Sequence, residues 1–185
     1  IAHIITGLET GGAERSLYNL LQGGLAKHFN CQVISLGNEG PIGNEIRKLS
    51  VPVTNLGMSM GRPSLSKLQK MYRLIKEFRP DLIHGWMYHG NLAASLACFL
   101  GARHCSALVW SIRCSLYHLS HEKLMTQMVI RANRFFSSSP DALLYNSGLS
   151  RNQHQAFGFN SINGEVIPNG IDVKGFSFSA KLRRK

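Results

Sequence analysis

The sequence predicts an α/β fold in which a doubly wound, mostly parallel sheet carries helices on both faces. Two observations predict it: short apolar runs alternate with helical patterns along nearly the whole chain, and a glycine loop joins the first run directly to the first helix. Strands and helices that alternate in this way form crossover connections, which place helices over both faces of a parallel sheet. With 185 residues, of which 44% are hydrophobic and 17% charged, the chain is large enough for one domain with a substantial core.

Each element is predicted from a local pattern. The first helix carries leucines on one face, and the third helix opens at Pro63 and repeats apolar residues every three or four positions until Pro80 stops it. The fourth helix contains small residues suited to close packing. The predicted strands are 1–6, 31–36, 51–56, 81–84, 107–112, 142–145 and 165–167, and the predicted helices are 13–28, 42–49, 64–78, 89–100, 120–136 and 148–157.

The loop at 7–12 is the first place to expect chemistry, because ligands of such sheets bind beyond the carboxyl ends of the strands. Gly11, Gly12 and Ala13 lie at the start of a helix, where free backbone N–H groups and the positive end of the helix dipole can hold a phosphate. The loop has neither the G-x-G-x-x-G pattern of a dinucleotide fingerprint nor the G-K-[ST] ending of a P-loop. A tight turn with purely structural glycines is the alternative.

The segment after the fourth strand gathers aromatic and polar side chains. It contains Trp86, Tyr88, His89 and Asn91, and aromatic rings with polar tips suit stacking on a sugar face or a lipid-linked headgroup. Helix capping and core packing are the alternative. A metal site built on His84 and His89 would lack a third ligand at a spacing that is typical of metal-binding motifs, and the sequence has no C-x-x-C pair. We therefore expect no metal.

The net charge of +11 suits an anionic partner such as a phosphorylated substrate, an anionic lipid surface or a nucleic acid. Arg113 ends the fifth strand, where its guanidinium could pair with a phosphate or a developing negative charge; a surface ion pair is the alternative. The helix face at 67–76 is basic, which indicates either an interface with anionic lipid or a solvated face. No apolar run approaches the ~20 residues that span a bilayer.

Five segments of the chain are similar to motifs of one enzyme family. They are residues 11–14 (Gly-Gly-Ala-Glu), 80–92 (Pro-Asp-Leu-Ile-His and its continuation), 109–113 (Val-Trp-Ser-Ile-Arg), 145–147 (Tyr-Asn-Ser) and 166–172 (Val-Ile-Pro-Asn-Gly-Ile-Asp) with Phe176. Together they resemble glycosyltransferase family 4 over nearly the whole chain. The last segment is the most specific of them.

The resemblance implies a GT-B enzyme, in which two Rossmann-like halves face a cleft. The N-terminal half receives the acceptor, and the C-terminal half holds the nucleotide-sugar. The glycine loop matches the one that approaches the donor diphosphate, and residues 86–91 lie where the acceptor is expected. Arg113 stands where many members have a histidine, and this difference favours contact with phosphate or acceptor. Members are usually retaining and need no metal, so the nucleotide-sugar is a substrate and no cofactor is expected.

The resemblance also implies the domain organisation. Residues 1–172 would form the Rossmann-like N-terminal domain, with Asn169, Gly170 and Asp172 at the inter-domain junction, and 173–185 would lead toward a C-terminal donor-binding domain. No two glutamates have the E-x7-E spacing of the family's donor motif. We therefore expect a trimmed, acceptor-side part of a longer enzyme, with no transferase activity of its own.

The predicted function is the acceptor side of a retaining enzyme that moves a hexose from a nucleotide-sugar to a glycan or lipid-linked acceptor. We expect a cytoplasmic location with peripheral contact to an anionic membrane, and no nucleic acid partner. The alternative is a nucleotide- or nucleic-acid-binding Rossmann-like module without transferase activity, which the positive charge favours but which lacks RNA-binding signatures. A nucleotide-sugar epimerase is a third possibility, and the junction motif disfavours it.

Overall fold

The fold is a parallel sheet with helices on both faces, as predicted. The computed structural model describes residues 1–58, 64–100 and 107–170. The strands are β1 Ala2–Ile5, β2 Gln32–Ser35, β3 Val53–Asn55, β4 Leu82–Trp86, β5 Ala107–Ile112, β6 Ala142–Tyr145 and β7 Gly164–Val166. They form one seven-stranded sheet in the order β3-β2-β1-β4-β5-β6-β7, and every neighbouring pair is parallel. Residues 171–185, which include Asp172 and the predicted junction segment, lie outside the described residues.

The helices alternate with the strands along the chain. They are α1 Gly12–Leu20, α2 Ala26–His28, α3 Pro41–Lys48, α4 Leu65–Phe78, α5 Met87–Leu100, α6 Leu124–Phe136 and α7 Gly148–Phe157. A π-helical turn, Leu21–Leu25, joins α1 to α2, and a 3₁₀ turn, Leu119–His121, precedes α6.

The prediction of one continuous helix over 13–28 is wrong. Gly24 has a φ of 132°, outside the helical region, and it interrupts the regular hydrogen bonding just before α2. Glycine adopts this left-handed conformation without the steric cost that a side chain would bring. The interruption matters for function because the π-helical turn lines the cleft described below.

The sheet buries one apolar cluster on each face. On one face, Met71 and Ile75 of α4, Ala94 of α5 and Ile130 of α6 pack against the strands. On the other face, α1 and α3 cover the β1–β3 half of the sheet, with apolar residues of both helices against Ile5 and Trp86. This distribution is the doubly wound arrangement, because successive crossovers leave from opposite faces.

The centre of the sheet is the point where the order of the strands reverses. β1 lies between β2 and β4, so the connections after β1 and β3 run to opposite sides of it. The carboxyl ends of β1, β4 and β5 therefore meet at one edge, and such a switch point is where doubly wound sheets bind ligands. They carry the glycine loop, Trp86 and Arg113 respectively.

Candidate functional site

A cleft of about 860 Å³ opens on the α1 face of the sheet, at the carboxyl ends of β4 and β5. Its walls come from α1 and the π-helical turn, from the ends of two central strands, and from the chain after β7. The lining residues are Ser16, Asn19, Leu20, Gln22, Gly23, Gly24, Leu25, His28, Phe29, Trp86, Arg113, Ile167, Pro168 and Gly170. The structure therefore brings together three of the predicted site residues, Trp86, Arg113 and Gly170.

Arg113 lines this cleft directly after the end of β5. Its Nη1 donates to the carbonyl oxygen of Ile167 at 2.8 Å and to Asn169 Oδ1 at 3.1 Å. Its guanidinium carbon lies 5.5 Å from the centroid of the Trp86 ring, within range of a cation–π contact. Burial lowers the pKa of Arg113, but an arginine stays charged in a protein. The buried Nε finds no hydrogen-bond partner among the described residues.

The floor under Arg113 is aromatic and polar. Trp86 is fully buried, and its Nε1 donates to His3 Nδ1 at 3.3 Å, which requires that nitrogen to be unprotonated. His84 lies 4.6 Å from Trp86 between ring centroids, and its Nε2 is hydrogen-bonded to Ser111 Oγ at 2.8 Å. Burial lowers the pKa of His3 to about 3 and holds that of His84 well below its usual range. A neutral, buried floor therefore leaves Arg113 as the charged group of this part of the cleft.

The chain after β7 is tied to both walls of the cleft. Asn169 Oδ1 accepts a hydrogen bond from Ser16 Oγ at 3.2 Å as well as the one from Arg113. Asn19 Nδ2 donates to the carbonyl oxygen of Gly170 at 3.0 Å. The predicted junction residues Asn169 and Gly170 thus link α1 to the end of β5. Ser16 and Asn19 were not predicted, although their spacing of three residues on a helix is a signal that could have revealed them.

We expect the Asn169→Ala substitution to loosen this junction, because it removes an acceptor that serves two donors. The NMR order parameter of the Gly170 amide should fall from the value of ordered backbone toward ~0.6 or below. Asn44→Ala is a matched control, because Asn44 accepts one exposed hydrogen bond from Arg47 on α3, away from the cleft. Equal order parameters at Gly170 in both variants would contradict a structural role for Asn169.

The glycine loop lies one helical turn from the cleft wall. Gly11 is the extended residue before α1, and a Cβ added to Gly12 would meet no atom within 4 Å, so the amide end of α1 is open there. A Cβ at Gly11 would instead overlap the Glu14 carboxylate, which folds back over the start of the helix. Burial raises the pKa of Glu14, and a hydrogen bond from its own backbone N–H opposes that shift. A phosphate that approaches Gly11, Gly12 and Ala13 would have to displace this carboxylate.

Tyr88 and Asn91 turn away from the cleft. Tyr88 is buried in the cluster on the opposite face, where its hydroxyl is hydrogen-bonded to His154 Nε2 at 2.7 Å and accepts from Cys114 Sγ at 3.3 Å. Asn91 is fully buried, and with its amide oriented by its partners its Nδ2 donates to the carbonyl oxygen of Gly85 at 2.9 Å. His89 is half-buried, and burial lowers its pKa. Their contact with an acceptor therefore stays a prediction.

Within the part of the chain that the structure describes, no three His, Cys, Asp or Glu side chains are grouped so that they could hold a metal ion. None of the helices in that part has the length and apolar character that crossing a membrane would require.

The sequence profile of glycosyltransferase family 4 matches residues 10–174, which is most of the chain. The chain belongs to this family. The match includes Gly11, Gly12 and Ala13, the carboxyl ends of β4 and β5, and the predicted junction residues 169, 170 and 172. No protein with a curated function matches the sequence.

Solved structures share the fold. HepE from Anabaena, in complex with UDP, superposes with a TM-score of 0.78 at 20% identity, over 99% of this chain and 48% of that one. HepE in complex with UDP-glucose superposes equally well. Sucrose-phosphate synthase from Thermosynechococcus elongatus gives a TM-score of 0.71 at 12% identity, over 98% of this chain and 51% of that one. The chain thus spans about half the length of these GT-B glycosyltransferases.

The same fold also serves another chemistry. A UDP-N-acetylglucosamine 2-epimerase superposes with a TM-score of 0.55 at 14% identity, over 91% of this chain and 48% of that one. Identities this low show the fold alone, so the assignment to the transferases depends on the family match and not on the superposition.

Proposed function

We propose that this chain is the acceptor-side domain of a retaining glycosyltransferase that moves a hexose from a nucleotide-sugar to a glycan or lipid-linked acceptor. The observation that carries the proposal is the cleft at the switch point of a family 4 chain, which Arg113 lines with its charged guanidinium. The HepE complexes with UDP and UDP-glucose support a nucleotide-sugar as the donor. The retaining course is supported by the family resemblance.

Arg113 is the residue that we propose to act on the reacting groups. A half-buried guanidinium stabilises a departing diphosphate more strongly than a fully exposed one would. Its Nε, which has no hydrogen-bond partner in the part of the chain that the structure describes, is a donor that a phosphate or acceptor oxygen could accept from. Gly11, Gly12 and Ala13 would offer backbone N–H groups to the same diphosphate, once the Glu14 carboxylate has moved aside.

The acceptor would enter on the side of α5. His89 is the one of the four predicted acceptor residues that is neither fully buried nor enclosed in the core, so it would make the direct contact. Trp86, Tyr88 and Asn91 would shape that site from within by supporting Arg113 and the start of α5. A lipid-linked acceptor would bring the enzyme to an anionic membrane, in keeping with the net charge of +11.

The chain alone would lack the groups that hold the donor. It spans about half of each GT-B neighbour, and catalysis requires the donor and acceptor to be held together. We therefore expect no transfer by the 185-residue chain and transfer by the product of the complete gene. NMR of the glycoside formed should show the anomeric configuration of the donor, and an inverted product would contradict the retaining proposal.

We expect Arg113→Met, in the product of the complete gene, to lower kcat/KM for transfer from UDP-glucose by about 30-fold, the effect of one charge-assisted hydrogen bond worth ~2 kcal/mol. Arg73→Met, on the exposed face of α4, is the control and should change kcat/KM by less than about twofold. Equal effects of the two substitutions would refute the role of Arg113. Absence of transfer, together with salt-sensitive binding of single-stranded RNA, would favour the nucleic-acid-binding alternative.

A further inference from the structure

The outward face of α6 carries an exposed apolar stripe that the proposed function does not use. Leu124, Met128 and Phe135 are 70%, 56% and 78% exposed. They occur with Arg131 at spacings of four, three and four residues, so the four side chains form one row along the helix. Over eleven residues the row is ~16 Å long. Met125 and Phe136, also exposed, widen it on one side.

The orientation of this stripe is fixed by the opposite face of α6. Ile130 is fully buried in the core, and Asn133 Nδ2 donates to the carbonyl oxygen of Tyr88 at 2.9 Å. The helix therefore cannot turn its apolar residues inward. Exposed apolar patches of this kind on a soluble domain mark contact surfaces.

The charges on α6 itself have one sign. α6 contains Arg131 and Arg134 and no acidic residue, and Lys123 immediately precedes it. Glu122, one residue earlier, is exposed and is the nearest acidic residue in sequence. Tyr117, 69% exposed, lies between Arg113 and α6 and adds an aromatic ring with a polar tip. Cations interspersed with Leu, Met and Phe complement an anionic lipid surface, where the apolar groups enter the acyl boundary and the cations meet the headgroups.

We propose that the α6 face, defined as Lys123, Leu124, Met128, Arg131 and Phe135, docks on an anionic membrane surface. The basic face of α4, which the sequence suggested, is the weaker candidate. The exposed side chains of α4 include one large apolar residue, Leu65, and those between residues 70 and 78 are all charged, so α4 offers less apolar insertion than α6. The strength of binding at a bilayer interface grows with the buried apolar area and with the attraction between cations and anionic lipid. The α6 face supplies both apolar and cationic side chains.

Docking through α6 would place the bilayer on the face of the sheet opposite the cleft. α6 runs from the carboxyl edge of the sheet, and only ten residues separate Arg113 from Leu124. The headgroup of a membrane-anchored acceptor would then have to extend past the carboxyl edge of the sheet to reach the cleft. This consequence for the acceptor rests on the proposed function, whereas the docking itself does not.

The test is co-sedimentation of the 185-residue chain with vesicles of phosphatidylcholine, alone or mixed with phosphatidylglycerol. We expect binding to the anionic vesicles only. Leu124→Ser, Met128→Ser and Phe135→Ser combined should weaken it at least ~10-fold, and Lys123→Gln with Arg131→Gln should weaken it and reduce its salt dependence. The matched controls are Leu65→Ser, Phe99→Ser and Leu100→Ser combined, and Lys70→Gln with Arg73→Gln, each expected within ~2-fold of the unchanged chain.

Several results would overturn the inference: equal binding to both vesicle types, no binding, or a greater loss in the control variants than in the α6 variants. Analytical ultracentrifugation tests whether a second copy of the chain is the partner instead. A dimer that the α6 substitutions dissociate, while vesicle binding stays unchanged, would also overturn the inference. Circular dichroism of each variant establishes that it is folded. Transfer to a water-soluble acceptor analogue by the complete gene product should survive the α6 substitutions, so failed docking and a failed transferase assignment give different results.

Discussion

Lowering the pH from 7 to 5 is expected to reduce the free energy of unfolding by about 4 kcal/mol, through His3 and His84 together. Both are buried in their neutral forms under the cleft, and the pKa of His3 is lowered to about 3. In the unfolded chain a histidine titrates near 6.5. Below that pH the unfolded state takes up protons that the folded state does not, so stability is full above ~6.5 and is lost as the pH falls toward the folded pKa.

Burial and neighbouring positive charges lower the pKa values of both histidines. Burial is the main cause for both rings; the nearby N-terminal ammonium adds to it at His3, and His3 and Arg113 add to it at His84. Each histidine contributes about 2 kcal/mol over the 1.5 pH units between 6.5 and 5. Glu14 acts in the opposite direction, because burial raises its pKa and its protonation therefore favours the folded state as the pH falls.

Urea unfolding at pH 7 and pH 5 measures the effect. His3→Gln should lose about 2 kcal/mol of the pH dependence, the contribution of one ring, whatever its stability at pH 7, while His28→Gln, a substitution at an exposed residue of α2, should keep the contributions of both rings. If His3→Gln keeps the full pH dependence, or if the unchanged chain is equally stable at both values, the neutral buried pair is ruled out.

Much of the fold could be predicted because the strands are short, apolar and separated by clear turn signals. Every predicted strand exists, and the third predicted helix, α4 in the structure, ends just before Pro80 as expected. The predicted first helix is longer than α1, because periodicity alone does not show which glycine adopts a positive φ. In the structure Gly24 adopts one. The pattern of leucines continues through the π-helical turn, so this pattern does not predict the break in the helix.

The candidate site was predictable where residues end a strand. Trp86 and Arg113 meet because the carboxyl ends of neighbouring parallel strands lie at one edge. The predicted helix begins at residue 89, but β4 continues directly into α5 through Met87, whose φ of 62° makes the turn. Tyr88 and Asn91, three residues apart and in line with Ala94, therefore lie on the buried face of α5. The contacts of Ser16 and Asn19 with the junction depend on tertiary packing, which local patterns do not specify.

Gly90→Ala is expected to destabilise the protein by about 3 kcal/mol, the largest effect we predict for a single added methyl group. A Cβ at residue 90 would lie 2.5 Å from the carbonyl oxygen of Ile4 and 3.3 Å from the Cα of Ile5. Both neighbours are backbone atoms of β1, whose hydrogen-bonded strands on either side prevent it from moving away. Either α5 must lift from the sheet or β1 must bend.

Gly148→Ala is the matched control, because Gly148 begins α7 and a Cβ there meets no atom within 4 Å. Alanine favours helix by up to about 1 kcal/mol over glycine, so this variant should equal or exceed the stability of the unchanged chain. Thermal or urea unfolding separates the two. Because α5 follows directly from Trp86, lifting it would also disturb the cation–π contact with Arg113, and the Trp86 fluorescence of folded Gly90→Ala should change while that of Gly148→Ala should not. Equal stabilities for the two variants would show that the close approach of α5 to β1 is not what requires glycine at residue 90.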